Sequence, residues 1–346
     1  LKFAHILGAA ALSFGAAFSG AAFAADINGA GASFPAPVYQ AWAAAYKEKT
    51  GTGLNYQSIG SGGGQNQIVN RTVDFGASDA PMADDKLEKA NLLQFPTVIG
   101  SVVAIVNLGE DVPLTLSGPI LAEIYQGKIT KWNDAKIAEL NKGAKLPDLA
   151  IVPVYRSDSS GTSFVFTSYL ASASADWKSN VGAATSVQWP TGAGAKGNEG
   201  VAGTVKNTKG AVGYVEFIYA AANKLATTDL VNKAGKVVKP TVHNFMAAAG
   251  AADWAHAKNF AASMVDTAGE EAWPIVSATY ILLPKNPTNA AQSAEVIKFF
   301  DWAYGPEGDA VAEKLHYIAL PNTVVEEVKK AWASEVKADG KAVWTN

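Results

Sequence analysis

The residues with the most chemical content lie together at Arg156-Ser157-Asp158-Ser159-Ser160-Gly161-Thr162-Ser163-Phe164. A guanidinium can grip a tetrahedral oxyanion through two parallel hydrogen bonds. Asp158, two residues on, is placed to brace Arg156. Ser160 and Thr162 bring hydroxyl donors, and Gly161 lets a backbone come close to a ligand. The apolar run Phe164 to Leu170 reads as a helix, so the Ser-Gly-Thr turn opens it. Unpaired N–H groups and a partial positive charge sit at such a start. Together these features describe a site for a small oxyanion that needs neither lysine nor metal. The same composition also fits an ordinary Ser/Asp helix cap beside a surface arginine.

Three other turns share this character. Ser33-Phe34 follows the short strand and glycine turn of Asp26 to Ala32. Gly60-Ser61 follows the strand Leu54 to Ile59, with Gly60 to Gly64 expected as a turn and a helix starting near Gln65. Ser78-Asp79 ends the strand Thr72 to Ser78. In open α/β sheets ligands sit beyond the carboxyl ends of strands, and all four turns qualify. The carboxylate of Asp79 is the discriminating feature. It would repel an anion unless that anion carries a proton to donate. Phosphate and arsenate do; sulfate at neutral pH does not, so an acceptor facing it loses a hydrogen bond and meets a like charge.

The elements that must position these turns can be read in order. Pro35 and Pro37 open a helix, where a missing N–H is harmless. Val38, Ala41, Trp42 and Ala45 form its core stripe. Phe95 to Val106 is a charge-free run expected as a buried strand crossing between domains. Ser117 caps a helix at Gly118-Pro119, and another short helix follows Asp134. Ile151 begins the strand that delivers Arg156. Gly192-Ala193-Gly194-Ala195-Lys196-Gly197 matches the G-x-G-x-x-G dinucleotide pattern, after a possible strand at Ser186 to Trp189 and before Glu216. Pro190 interrupts that strand, and Gly200 and Gly203 weaken the helix that should follow. Ser277 to Leu283 reads as a returning strand. Val296, Ile297, Phe300 and Tyr304 mark a helix face, and Thr323 to Glu326 is expected to cap the last helix as a capping box. Strand–helix alternation indicates an α/β fold with largely parallel sheets.

Composition sets the compartment. Lys2 and the small, apolar run to Ala24 have the form of a cleaved secretory signal, with Ala22-Phe23-Ala24 as the cleavage pattern. Residues 1–24 are therefore expected to be removed. Without Lys2 the chain carries 27 basic against 31 acidic residues, a net charge of −4. That balance argues against nucleic-acid binding and makes any anion site a local feature. The sequence has no cysteine, so disulfides, thiol nucleophiles and lipid attachment at the cleavage point are excluded. It lacks H-E-x-x-H, G-x-S-x-G and P-loop patterns. His243, His256 and His316 lie far in sequence from the glycine turns. Catalysis by an activated nucleophile or metal cluster therefore has no visible machinery, and a secreted phosphatase is the weaker alternative to a binding protein.

Long motifs then carry a resemblance. They are Gly29-Ala30-Gly31-Ala32-Ser33-Phe34-Pro35-Ala36-Pro37-Val38-Tyr39, Val73-Asp74-Phe75-Gly76-Ala77-Ser78-Asp79-Ala80-Pro81, Gln94 to Gly100, Ser160 to Leu170, and Lys298 to Tyr304. From about Asn28 to Lys341 the chain resembles the periplasmic phosphate-binding proteins of bacterial phosphate-specific ABC transporters, the PstS family. The resemblance implies a periplasmic-binding-protein fold, with two α/β lobes joined by a hinge and the ligand in the cleft between them. Residues 25–107 and 277–346 would form the first lobe and 108–276 the second. It implies that Ser33, Phe34, Ser61, Asp79, Arg156, Ser160, Gly161 and Thr162 bind inorganic phosphate, and that Asp158 braces Arg156. The family often has threonine at the place of Ser33 and serine at the place of Gly62. It further implies a monomer in the periplasm, delivery of phosphate to permease subunits in the inner membrane, no catalysis, no metal and no cofactor.

Overall fold

A computed structural model describes residues 26–110 and 112–345; the expected leader lies outside them. The first part comprises β1 (Ile27–Gly31), α1 (Ala36–Thr50), β2 (Leu54–Ser58), α2 (Ser61–Val69), β3 (Phe75–Ser78), α3 (Asp84–Ala90) and the long β4 (Leu92–Val106). Next come β5 (Thr115–Ser117), α4 (Gly118–Tyr125), α5 (Ala135–Leu140), β6 (Val152–Arg156), α6 (Gly161–Ala173) and α7 (Ala175–Asn180). They lead into β7 (Ala193–Ala195), α8 (Gly197–Asn207), β8 (Ala211–Glu216), α9 (Phe217–Asn223), β9 (Ala226–Thr227), β10 (Asp229–Val231), β11 (Val237–Val238) and α10 (Val242–Ala249). The chain returns through β12 (Met264–Val265) and β13 (Ile275–Pro284), then α11 (Ala290–Ala303), α12 (Pro306–Lys314), α13 (Asn322–Glu335), β14 (Lys337–Ala338) and β15 (Lys341–Ala342).

One strand path runs β2-β1-β3-β13-β4-β8-β6-β7. β1 is parallel to β2 and β3, and β6 is parallel to β7 and β8. β13 is antiparallel to β3 and β4, and β4 to β8, so the sheet is mixed rather than largely parallel. β4 changes partner midway: it pairs with β13 up to Ser101 and with β8 from Val102. All 15 of its residues are buried. A strand covered on both faces has no position for a charge, which explains the uninterrupted apolar run. Around the first sub-sheet, Tyr39 stacks on Trp42, and Phe75, Phe95, Phe300 and Trp332 meet edge to face. Around the second, Phe166 stacks on Tyr214 at 4.2 Å. Each such ring buries a large apolar area.

Three local expectations change. α2 begins at Ser61, not near Gln65, with its glycines inside the first turn. A Cβ on Gly64 would sit 2.5 Å from Gly31 Cα and 2.6 Å from Ala30 O, so the helix needs glycine to lie against β1. The last helix is not opened by a capping box. It starts at Asn322 behind Pro321, without a side-chain cap, so Thr323 is already helical and cannot cap. The glycine-rich segment holds β7 within it rather than after a strand at Ser186 to Trp189, and α8 forms despite Gly200 and Gly203. Its buried Val201, Ala202 and Val205 outweigh the glycine penalty of ~1 kcal/mol each.

Candidate oxyanion site

Each predicted site residue occupies the junction between a strand end and the next helix. Ser33 and Phe34 lie between β1 and α1, Ser61 opens α2, Asp79 follows β3, and Arg156 ends β6. Ser160 caps α6 by accepting from Ser163 N–H at 3.0 Å, and Gly161 and Thr162 form its first turn. All are buried; Asp79 and Arg156 are 1% and 3% exposed. The two halves of the sheet bring them together. Gly161 N–H donates to Ser61 Oγ at 3.0 Å, across 100 residues of sequence. A Cβ at Gly161 would lie 2.5 Å from Ser61 Oγ and 2.6 Å from Asp79 Cβ, so only glycine permits this approach. Gly62 N–H donates to Ser159 O at 3.1 Å beside it.

The hydrogen-bond directions give the site its chemistry. A hydroxyl has one proton and two acceptor sites. Ser33 Oγ accepts from Asn198 N–H at 3.2 Å and Asn198 Nδ2 at 2.8 Å. Ser61 Oγ accepts from the N–H groups of Asp79 and Gly161. Thr162 Oγ1 accepts from Arg156 Nη1 at 3.2 Å and Asn198 Nδ2 at 3.3 Å. With Ser160 Oγ fed by Ser163, every one of these oxygens is fed by N–H groups. Each hydroxyl proton is thereby left to donate, and that of Ser61 reaches Asp79 Oδ2 at 3.5 Å. The backbone N–H groups of Phe34, Ser61 and Thr162 take no protein acceptor among the described residues. Converging donors of this kind suit a compact anion.

Arg156 and Asp158 form a two-pronged pair, Nε to Oδ1 at 2.8 Å and Nη2 to Oδ2 at 2.6 Å. Asp158 Oδ1 also accepts from Gly197 N–H at 3.1 Å. Burial works against the Asp158 charge, but Arg156 and Gly197 hold its carboxyl below the usual range. Burial likewise opposes the guanidinium charge, and Asp158 more than offsets it, so Arg156 stays ionised. The pair fixes the fork and leaves Nη1 pointing to Thr162.

Asp79 is the one carboxylate among the donors. Burial pushes its carboxyl up to about 7, against the Thr279 hydroxyl, the Arg156 charge and Ser61. Oδ1 accepts from Thr279 Oγ1 at 2.7 Å, whereas Oδ2 faces Ser61 Oγ at 3.5 Å and the Gly161 backbone.

Two participants escaped sequence reasoning. Asn198 lies in the first turn of α8, just past the glycine pattern, and ties Ser33 to Thr162. Thr279 lies 200 residues from its partner Asp79. Both are plain polar residues whose only sequence signal was a position at an element boundary or inside an apolar strand. The glycine pattern itself contributes Gly197 to bracing Asp158. An open groove of about 750 Å³ lies elsewhere, lined by Trp254, Phe260, Glu326, Glu327, Lys330 and Glu335 among others. Lys330 there is paired to Glu327, so the groove is a poor place for an anion. Among the described residues no His/Cys/Asp/Glu group could hold a metal ion, and no helix is long and apolar enough to cross a membrane.

Comparison with known proteins supports a family. Residues 16–307 match the model of the PBP superfamily domain. The phosphate-binding protein PstS of Pasteurella multocida is 50% identical over 324 residues, covering 93% of this chain and 94% of that protein. The phosphate-binding protein PstS of Haemophilus influenzae is 49% identical over 314 residues, covering 90% and 94%. The crystal structure of a phosphate-binding protein from Stenotrophomonas maltophilia shares the fold, with a TM-score of 0.69 at 24% identity over 91% of this chain and 96% of that one. Identity of this extent over nine-tenths of the chain, together with the match to the superfamily model, places the chain in the PstS family.

Proposed function

We propose that this protein binds inorganic phosphate at the converging strand ends and delivers it to an ABC transporter for import. The observation that carries the reading is Asp79: a buried acceptor set among hydroxyl and N–H donors and one braced guanidinium. That set matches a tetrahedral oxyanion that both accepts many hydrogen bonds and donates at least one. Ser33, Phe34, Ser61, Arg156, Ser160, Gly161 and Thr162 supply the donors, Asp79 takes the ligand's proton, and Asp158 holds Arg156. The relatives named phosphate-binding proteins support the same ligand.

The ligand would sit between two lobes, 25–107 with 277–346 and 108–276, hinged where β4 exchanges β13 for β8. Export of a monomer to the periplasm through the leader at 1–24, and handover to inner-membrane permease subunits, complete the proposal. Chemistry on the phosphate is not part of the proposal. Equilibrium dialysis of the stripped protein with radiolabelled phosphate tests binding, and p-nitrophenyl phosphate tests turnover. Retained phosphate with no hydrolysis is expected. Hydrolysis abolished by Ser61→Ala would replace the binding protein with a phosphatase.

A further inference from the structure

We infer that Thr279 is a positioning residue for selectivity: its hydroxyl fixes Asp79 as an acceptor that admits only oxyanions carrying a proton. The inference rests on the proposed role of Asp79 towards phosphate. Ser277 and Thr279 alternate onto the same face of β13, and both reach Asp79. Ser277 Oγ lies 3.5 Å from Asp79 O, and Thr279 Oγ1 lies 2.7 Å from Oδ1. β13 runs antiparallel to β3, with Tyr280 opposite Ser78, so Thr279 falls beside Asp79. A register shift against β4 occurs between Thr279 and Tyr280, where Pro96 has no N–H to offer the ladder. Such irregularities re-aim side chains near functional sites. Thr279 is wholly buried on an apolar strand, where an unpaired hydroxyl would be costly.

The pairing does two things. It occupies Oδ1, so that Oδ2 alone turns to Ser61 and Gly161. It also stabilises the ionised carboxyl against the desolvation that favours the neutral one. An ionised Asp79 accepts a hydrogen bond from the phosphate O–H and repels sulfate. A neutral Asp79 would become a donor itself, and the site would then suit a fully ionised oxyanion. The charged group acting on Asp79 is Arg156, which favours ionisation; the phenols around it, Tyr39, Tyr56, Tyr219, Tyr280 and Tyr317, are neutral, because burial holds each above its ordinary range. Thr279 is thus the nearest uncharged support for the acceptor state.

The test is Thr279→Val, which keeps the shape and removes the donor, with Thr279→Ser restoring it. Calorimetric titrations with phosphate and with sulfate are run on wild type and both variants from about pH 6 to 9. In wild type, phosphate affinity falls as pH drops through about 7, where Asp79 takes up a proton. In Thr279→Val that fall moves to higher pH, phosphate binding at neutral pH weakens ~10-fold, and sulfate binding appears. Thr279→Ser behaves as wild type. An unchanged phosphate-to-sulfate ratio and pH profile in Thr279→Val would overturn the inference while leaving phosphate binding intact. Wild type that binds no phosphate, or binds sulfate equally, would instead overturn the reading of Asp79. Should Thr279→Val not fold by circular dichroism, Thr279→Cys, a weaker donor of similar size, reads the same change.

Discussion

Arg156 shows how much of the site depends on one braced side chain. Asp158 takes two of its N–H groups, and Thr162 takes a third. Removing the guanidinium deletes charge-assisted hydrogen bonds worth ~1.5–3 kcal/mol each. Arg156→Ala is therefore expected to weaken phosphate binding by ~100-fold. Asp158 keeps the Gly197 N–H and is 12% exposed, so the variant is expected to stay folded, with a lower melting temperature. Calorimetry and thermal denaturation check the two halves of this statement. Equal affinity would remove Arg156 from the site. The hydroxyls behave differently from the arginine because each is one of several donors. The pattern in which N–H groups feed Ser33, Ser61, Ser160 and Thr162 turns four ambivalent groups into donors without adding charge. This suits a protein of net negative charge, whose overall field does not attract anions.

Among the elements, the seam between β4 and β8 carries a second buried acid. Glu216 ends β8 opposite Val102, next to the point where β4 changes partner. Its N–H donates to Asn198 Oδ1 at 2.9 Å, and Oε2 accepts from Ile218 N–H at 2.8 Å. Oε1 is buried without a protein partner among the described residues. Burial pushes this carboxyl up to about 8, against the bond from Ile218. The native state thus keeps Glu216 neutral over a range where the unfolded chain ionises it. Stability linked to this group is complete below about pH 4.5, and it declines as pH rises towards about 8 by ~1.4 kcal/mol per unit. Glu216→Gln is expected to flatten that decline and to melt higher than wild type near pH 8. Melting curves across this range provide the check, and a variant with the wild-type slope would show that Glu216 is ionised in the native protein. At the same seam, Glu216 stands where the acid of a dinucleotide pattern would, a reading that Pro190, Gly200 and Gly203 already weakened in the sequence. The strand lies inside the glycine segment rather than before it, and Gly197 donates its N–H to Asp158.

At the scale of the molecule, one apolar core runs through both halves, and polar contacts join them at the site. Tyr219 OH donates to Ser33 O at 2.6 Å, Asn198 to Ser33, and Gly161 to Ser61. Polar contacts of this kind at the strand ends can part while the core holds, when no ligand bridges them. Stripping phosphate is expected to open the lobes and raise the radius of gyration by on the order of 1 Å in solution scattering. Superimposable profiles with and without phosphate would argue for a rigid cleft. What could be read from the chain alone was local. Strand ends, glycine turns and helix starts are written in five to ten adjacent residues, and the four turns followed from them. The start of α2 and the cap of α13 were misplaced because close packing on β1 and a preceding proline overrode composition. Asn198 and Thr279 were illegible because their meaning comes from partners brought close only by the sheet order.

The central claim is that a buried acceptor among donors selects a proton-bearing oxyanion. It is tested most directly by calorimetric titration of the phosphate-stripped protein with phosphate and, separately, with sulfate at about pH 8.5, above the value of about 7 to which burial raises Asp79, so that the acid is ionised. One phosphate bound per chain with no response to sulfate is the expected result. Binding of both anions, or of neither, would contradict it.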